Sequence, residues 1–153
     1  MVVIKLEQGM RLVSIFVMAL LANVGAAFAD PHNVFDTFMT QDGASYIRIA
    51  DCGDGSPCGK VVWINPETLP SGTTAQEAIS KNGTPVLGLQ LLEGFKRKKK
   101  DWRGGTVYDP ENDKYYSARI KRLDDGSLQL KGCVGPICQS QIWTHVSQKL
   151  AAN

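Results

Sequence analysis

Short runs of alternating apolar and polar residues, separated by turn residues about every 8 to 12 positions, extend over most of the chain. In the run 115–123, for example, Ala118 and Ile120 alternate with charged residues, so one face of the sheet is solvated. Eight runs of this kind follow Asp30: residues 34–40, 44–51, 60–64, 87–96, 101–108, 115–123, a run that begins at Leu128, and 139–146. This spacing is typical of an all-β sandwich or barrel.

The connections between the runs favour a barrel. Most are short turns, and Asp125-Gly126 is a strong signal for a tight hairpin. Only Pro66–Gly83 interrupts the pattern, and Thr74–Lys81 within it is predicted to form a short helix capped by threonine. Sequential hairpins need no long crossovers, so we predict an all-β fold: an eight-stranded antiparallel up-and-down barrel with one short helix.

The first 29 residues have the organisation of a secretory signal peptide. Lys5 and Arg11 precede the apolar run Leu12–Ala22, and Ala27-Phe28-Ala29 forms a small-x-small cleavage site. The alternative is a membrane anchor, but the apolar core of about ten residues is short of the roughly 20 that span a bilayer.

We therefore predict a signal peptide at residues 1–29, with either Met1 or Met10 as the start, and one domain at residues 30–153. The mature protein is expected in the periplasm or secreted, and is not expected to span a membrane. The whole chain carries 17 Lys and Arg against 15 Asp and Glu. This near-neutral balance argues against a nucleic-acid-binding domain, which is usually strongly basic.

Four cysteines in an exported domain of this size indicate a disulfide framework. Cys52 and Cys58 flank Gly-Asp-Gly-Ser-Pro, and Cys133 and Cys138 flank Val-Gly-Pro-Ile, so each pair encloses a turn. Of the three pairings that four cysteines allow, we prefer the two local ones because proximity decides which bond forms. A four-cysteine zinc site is disfavoured by the long first spacer and by the oxidising compartment, so we predict no metal.

Several longer stretches resemble an exported bacterial family, the domain of unknown function 2147. They are RIADCGDGSPCGKVVWINP, PVLGLQLLEGFK, DWRGGTVYDPENDKYYSARI and LQLKGCVGPICQSQIWTHV. The resemblance covers nearly all of Phe35–Val146 and implies a small lipocalin-like barrel that binds an apolar or amphipathic molecule outside the cytoplasm. The family usually opens with Gly-x-Trp, whereas this chain has Asn33-Val34-Phe35, in which Phe35 is expected to fill an apolar slot.

Aromatic side chains are the candidate lining of a binding pocket, because a ring offers a large contact area and a polar edge. For each one the competing interpretation is an ordinary core residue. The predicted ligand-binding residues are Trp63, Trp102, Tyr108, Tyr116 and Trp143. Gly104 and Gly105 are interpreted as a bulge or a close backbone approach.

Five consecutive basic residues lie at a predicted hairpin tip. They are Lys96, Arg97, Lys98, Lys99 and Lys100. One interpretation is a solvated turn that discourages aggregation. The other is electrostatic capture of anions such as lipid phosphates or an anionic envelope surface.

Catalysis has little support in the sequence. His145 lies in the last predicted strand and His32 near the start of the mature chain, and neither has the spacing of a nucleophilic or metal site. We expect no enzyme activity and no cofactor. The leading hypothesis is an exported protein that binds a small hydrophobic or amphipathic ligand. The alternative is a cell-envelope interaction protein whose barrel is solid and which acts through its surface and basic turn.

Overall fold

Nine β-strand segments are found within residues 29–147, the part of the chain that the computed structural model describes. In chain order they are β1 (Thr37–Met39), β2 (Ser45–Asp51), β3 (Pro57–Ile64), β4 (Gln90–Glu93), β5 (Lys96–Arg97), β6 (Trp102–Asp109), β7 (Lys114–Arg122), β8 (Leu128–Val134) and β9 (Ile137–His145). The predicted signal peptide, the Met1 or Met10 start and the last six residues lie outside the described residues.

The strands close into a ring. Consecutive strands pair antiparallel, except β4 with β5, and β1 pairs with β9 through Phe38 opposite His145. β4 and β5 both pair with β6, so they are two parts of one bent strand and the ring has eight strands. The predicted eight-stranded up-and-down barrel is therefore confirmed.

The bend between β4 and β5 depends on two glycines. Gly94 has φ +76°, a conformation that favours glycine, and it turns the chain so that Phe95 enters the core. Opposite it, β6 bulges at Gly104 (φ +73°) and shifts register between Arg103 and Gly105. A Cβ on Gly105 would lie 2.5 Å from the Glu93 carbonyl oxygen and 2.6 Å from the Phe95 ring. The predicted bulge and the predicted close approach are both present.

Buried apolar side chains from every strand except β5 meet inside the ring. They are Phe38, Ile47, Ile49, Val61, Ile64, Leu92, Trp102, Ala118, Ile120, Leu128, Leu130 and Trp143, joined by Val34 and Phe95. Because strand side chains alternate between faces, these residues define which face of each strand points inward.

The two ends of the barrel are built differently. End A carries the N-terminal segment 30–36 and the turns at 52–56, 98–101 and 123–127. End B carries the turns at 40–44, 110–113 and 135–136, together with the connection 65–89 between β3 and β4. The connection is the longest irregular segment between strands of the described chain.

The predicted helix at Thr74–Lys81 is wrong. The Glu77 carboxylate accepts hydrogen bonds from the N–H and the hydroxyl of Thr74, at 2.9 and 2.8 Å, as at the start of a helix. Further along, however, the Ala78 carbonyl oxygen accepts from the Val86 N–H at 2.9 Å. Since this carbonyl is engaged by the returning chain, no helix propagates. The described residues instead contain a 3-10 turn at Pro66–Thr68.

Both predicted disulfides are present, in the local pairing. Cys52 and Cys58 bridge the β2–β3 turn with their Cα atoms 5.2 Å apart, and Cys133 and Cys138 lie directly opposite each other on β8 and β9, 4.0 Å apart. The Asp51 carboxylate orders the first turn by accepting 2.7 Å hydrogen bonds from two backbone N–H groups. Within residues 29–147 no helix is both long and apolar enough to cross a membrane.

Candidate functional site

End A is sealed by the N-terminal segment. Val34 is fully buried, and the buried His32 donates from Nε2 to the Lys98 carbonyl oxygen at 2.6 Å. The Trp102 indole N–H donates to the His32 carbonyl oxygen at 3.0 Å, and the Arg122 N–H donates to the Pro31 carbonyl oxygen at 2.9 Å. The segment is thus bonded to β6, to β7 and to the basic turn, and it closes this end to a ligand.

Phe35 does not fill an apolar slot, contrary to expectation. Its side chain is 39% exposed, and its ring lies edge-on to Trp102 at 6.2 Å. The buried apolar positions of this segment are Val34 and Phe38 instead. Side chains of an extended segment point alternately to opposite faces, and Phe35 is an odd number of residues from both Val34 and Phe38. Its side chain therefore points away from the core.

A polar cluster lies where β1 and β9 close the ring. The Asp36 carboxylate lies 2.5 Å from His145 Nε2 and 3.4 Å from Arg122, and the Arg122 guanidinium lies over the Phe38 ring at 5.0 Å. Burial acts to raise the pKa of Asp36, but hydrogen bonds from the Thr37 N–H and from His145, with Arg122 nearby, lower it overall. The cluster joins both ends of the described chain to β7.

Ser147 extends this cluster, with its Oγ 2.5 Å from His145 Nδ1. Hydrolases of the Ser–His–Asp type have the same three residue types, but in them the serine bonds histidine Nε2 and the aspartate bonds Nδ1. In this chain the two ring nitrogens of His145 have the opposite partners. The arrangement orients His145 against the residue that precedes the first strand.

End B is covered by the connection 65–89, which is hydrogen-bonded to the barrel near both of its ends and at Asn82. At its start the Asn65 N–H donates to the Ala44 carbonyl oxygen at 2.8 Å, in the β1–β2 turn, and near its end the Gly88 N–H donates to the Val61 carbonyl oxygen at 2.8 Å. The Asn82 amide donates to the Tyr108 hydroxyl at 3.0 Å and to the Asp113 carboxylate at 3.1 Å. Along the connection, partly buried apolar side chains pack against the core. They are Leu69, Ala75, Ala78, Val86, Leu87 and Leu89.

The five predicted ligand-binding aromatics do not converge on one pocket. Trp102 is buried at end A, and Trp143 is buried inside, with its indole N–H bonded to Gln141 at 2.9 Å. Tyr116 lies opposite Val107 on the inward face and is half-buried. These three belong to the barrel interior, at different heights.

The other two predicted aromatics lie on the outer face. Trp63 is half-buried and stacks on Tyr46 of β2, with ring centroids 4.3 Å apart. Tyr108 is buried beneath the connection, and its hydroxyl donates to Asp113 at 2.8 Å. Burial and this carboxylate raise the pKa of Tyr108. Both rings support the wall of the barrel at end B.

The predicted basic cluster has a structural and an exposed part. The Lys98 backbone is fixed by His32, and the Arg97 guanidinium lies over the Trp102 ring at 5.8 Å. Lys99 and Lys100 are exposed at the tip of the turn, and Lys96 is exposed opposite Arg103 of β6. The turn is therefore continuous with the outer face of β6.

Three basic residues outside the predicted sites continue this surface. Arg103, Arg119 and Lys131 occupy matched outward positions on β6, β7 and β8. In the sequence each of the three is a single charge within an alternating run, and only the strand register shows that they are neighbours.

Comparisons with known proteins give a family and a fold. The family model described as "Uncharacterized protein conserved in bacteria (DUF2147)" matches residues 36–145. Among curated proteins none matches significantly. A similar solved structure is "Protein HP1028 from the human pathogen Helicobacter pylori belongs to the lipocalin family", at 16% identity and a TM-score of 0.59, covering 82% of this chain and 88% of that one. At this identity the likeness describes the architecture, a lipocalin-like barrel.

Proposed function

Since this chain belongs to the bacterial DUF2147 family and has a lipocalin-like barrel, we propose that it is an exported binding protein that holds one small apolar or amphipathic molecule at end B, without chemical conversion. The observation that carries the proposal is the difference between the two ends. End A is closed by buried residues and hydrogen bonds to three parts of the sheet, whereas end B is covered by an irregular connection.

The composition of the connection supports a ligand of apolar character. Its inward side chains are small or aliphatic and only partly buried, as with Ala75, Ala78 and Val86. They pack on the barrel core, so a ligand inserted beneath them would exchange one apolar contact for another. Burial of apolar ligand surface contributes about 25 cal/mol per Å² before the costs of binding.

The position of the anchors supports entry by displacement of the connection. Residues 74–83 are held to the end of β6 and to the β6–β7 turn by the Asn82 amide, which donates to Tyr108 and Asp113, and by the Lys81 N–H, which donates to the Pro110 carbonyl oxygen at 2.8 Å. Segments held by few hydrogen bonds open at a low free-energy cost. The two disulfides, one at each end, agree with an oxidising compartment and hence with export.

The test is binding of phenylnaphthylamine, an uncharged fluorescent probe that reports apolar sites. An Ala78→Leu variant fills the space between connection and core, and should weaken binding by about tenfold, the effect of roughly 1.4 kcal/mol. The matched control is Ala50→Leu, on the exposed outer face of β2. Absence of probe binding, or equal affinities in all three proteins, would contradict the proposal.

The solid-barrel alternative is favoured by a separate observation. Two concavities of the described residues lie on the outer surface of the sheet formed by β6–β9. A function carried out by that surface does not require a hollow interior.

A further inference from the structure

Four basic residues form a row across the outer face of the barrel. Strand register places Lys96 opposite Arg103, Arg103 opposite Arg119, and Arg119 opposite Lys131. We call these four residues the basic row. Neighbouring strands lie about 4.8 Å apart, so the row extends over roughly 14 Å. Lys121 lies two residues from Arg119 on the same face and widens it.

The charges of the basic row are poorly compensated. Arg103 pairs with the buried Asp101 at 2.6 Å. The side chains of Arg119, Lys121 and Lys131 have no ion pair or hydrogen bond with any residue in 29–147. Like charges directly opposite each other on a sheet are destabilising. The sheet therefore holds a concentration of positive charge that its own acidic residues do not neutralise.

A concavity lies in the middle of this surface. It has a volume of about 270 Å³ and is lined by five basic residues and one acid, with Ile120, Gln129 and Ser140 completing it. Its basic residues are Lys100, Arg103, Arg119, Lys121 and Lys131. Lys100 belongs to the predicted basic turn, so turn and sheet contribute to one surface.

From this arrangement we infer that the outer face of β6–β8 is a binding site for phosphate groups, carried by a free polyphosphate or by a lipid headgroup. The site is separate from end B and does not depend on the proposed ligand there. Arg103, Arg119 and Lys131 approach from three adjacent strands and meet at the concavity. The oxygens of a phosphate can accept from all three, whereas a carboxylate has only two oxygens to offer.

Part of the basic turn has a structural role instead. Arg97 lies over Trp102 and the Lys98 backbone is bonded to His32, so part of the turn is engaged in closing end A. The free cationic side chains at the centre of the face are those of Arg119, Lys121 and Lys131, in the part of the chain that the structure describes. Removal of the turn charges alone is thus expected to weaken phosphate binding less than removal of Arg119 and Lys131.

The experiment compares the intact protein with an Arg119→Gln/Lys131→Gln variant. A matched control is Arg48→Gln/Lys60→Gln, because Arg48 and Lys60 are also an arginine and a lysine that face each other on neighbouring strands, β2 and β3. Tripolyphosphate binding is measured by calorimetry and by the rise in unfolding temperature, against sodium chloride at equal ionic strength. Membrane binding is measured by co-sedimentation with phosphatidylglycerol–phosphatidylcholine vesicles and is compared with binding to vesicles of pure phosphatidylcholine.

Loss of two charged contacts should weaken tripolyphosphate binding at least about tenfold, while the control variant retains it. If the double variant fails to fold, the single change Lys131→Glu should give the same loss. Vesicle binding that disappears in the same variant identifies a lipid headgroup, and binding of tripolyphosphate alone identifies a free phosphate compound. No binding to either probe, or equal binding in the Arg119→Gln/Lys131→Gln variant and the intact protein, would overturn the inference.

Discussion

The Asp36 carboxylate and the His145 imidazole lie 2.5 Å apart, across the seam where the last strand meets the residue that precedes the first. Together with the short β1–β9 ladder and the edge-on contact of the Phe38 and His145 rings, this contact holds the ring closed at end A. Arg122, from β7, lies 3.4 Å from the same carboxylate. Closure of the barrel thus has an electrostatic component.

We expect Asp36→Asn to lower the unfolding temperature at neutral pH. The folded pKa of Asp36 lies below its ordinary value of 3.8, so the carboxylate stabilises the folded state above that pH. The contribution is lost as the pH falls from about 4 through the lowered pKa. The difference in unfolding temperature between the intact protein and the variant should therefore shrink below pH 4.

Thermal unfolding followed by circular dichroism across this pH range checks the expectation. Asp124→Asn, in the exposed β7–β8 turn, is the control and should leave the unfolding temperature nearly unchanged at every pH. A difference for Asp36→Asn that stayed constant down to pH 2 would show that ionisation at this seam has no role.

Gly105→Ala should destabilise the barrel by about 1 to 3 kcal/mol, the usual effect of overpacking. The added Cβ would lie 2.5 Å from the Glu93 carbonyl oxygen, which is backbone and cannot move aside easily. Gly132→Ala is the matched control, since its Cβ would lie 3.6 Å from the nearest atom, an ordinary contact. Chemical denaturation measures both, and equal stabilities of the two variants would refute the close approach.

Removal of either disulfide should reduce the free energy of unfolding by about 2 kcal/mol, because each closes a loop of only a few residues. The comparison uses Cys52→Ser/Cys58→Ser and Cys133→Ser/Cys138→Ser, each with the other bridge intact. Mass spectrometry of the unreduced protein should detect no free thiol. Detection of four thiols would contradict both the pairing and the compartment inferred from it.

Asn82→Ala should loosen the connection 65–89 at the β6–β7 turn, since it removes the amide that donates to Tyr108 and Asp113 while the Lys81 N–H still donates to Pro110. We expect faster association of phenylnaphthylamine in stopped-flow fluorescence and a small loss of stability, about 1 kcal/mol. Asn112→Ala is the control, because the Asn112 side chain bonds only to Asp109 within its own turn. Unchanged association in Asn82→Ala would mean that the connection does not limit entry.

The barrel could be predicted from the sequence because it depends on local signals. A few neighbouring positions are enough to recognise an alternating pattern, a turn, or the spacing of Cys52 and Cys58. Successive hairpins then leave little choice of topology. The predicted helix failed because the Ala78 carbonyl pairs with Val86, a contact that helix propensity does not describe.

The candidate sites were harder to predict, because they depend on which face of a strand points inward. Trp63 and Tyr108 were selected for their aromatic character, but register places both on the outer face. Arg119 and Lys131 are unremarkable as single charges and become a site only when β7 and β8 are aligned. A one-residue change of register would have reversed each of these assignments.

The most direct test of binding at end B is amide chemical-shift mapping by NMR, with phenylnaphthylamine titrated into the isotopically labelled protein. The predicted result is a set of saturable shifts confined to the connection 65–89 and to inward residues beneath it, such as Val107 and Tyr116. Shifts confined to the outer face, or none at probe saturation, would contradict the account.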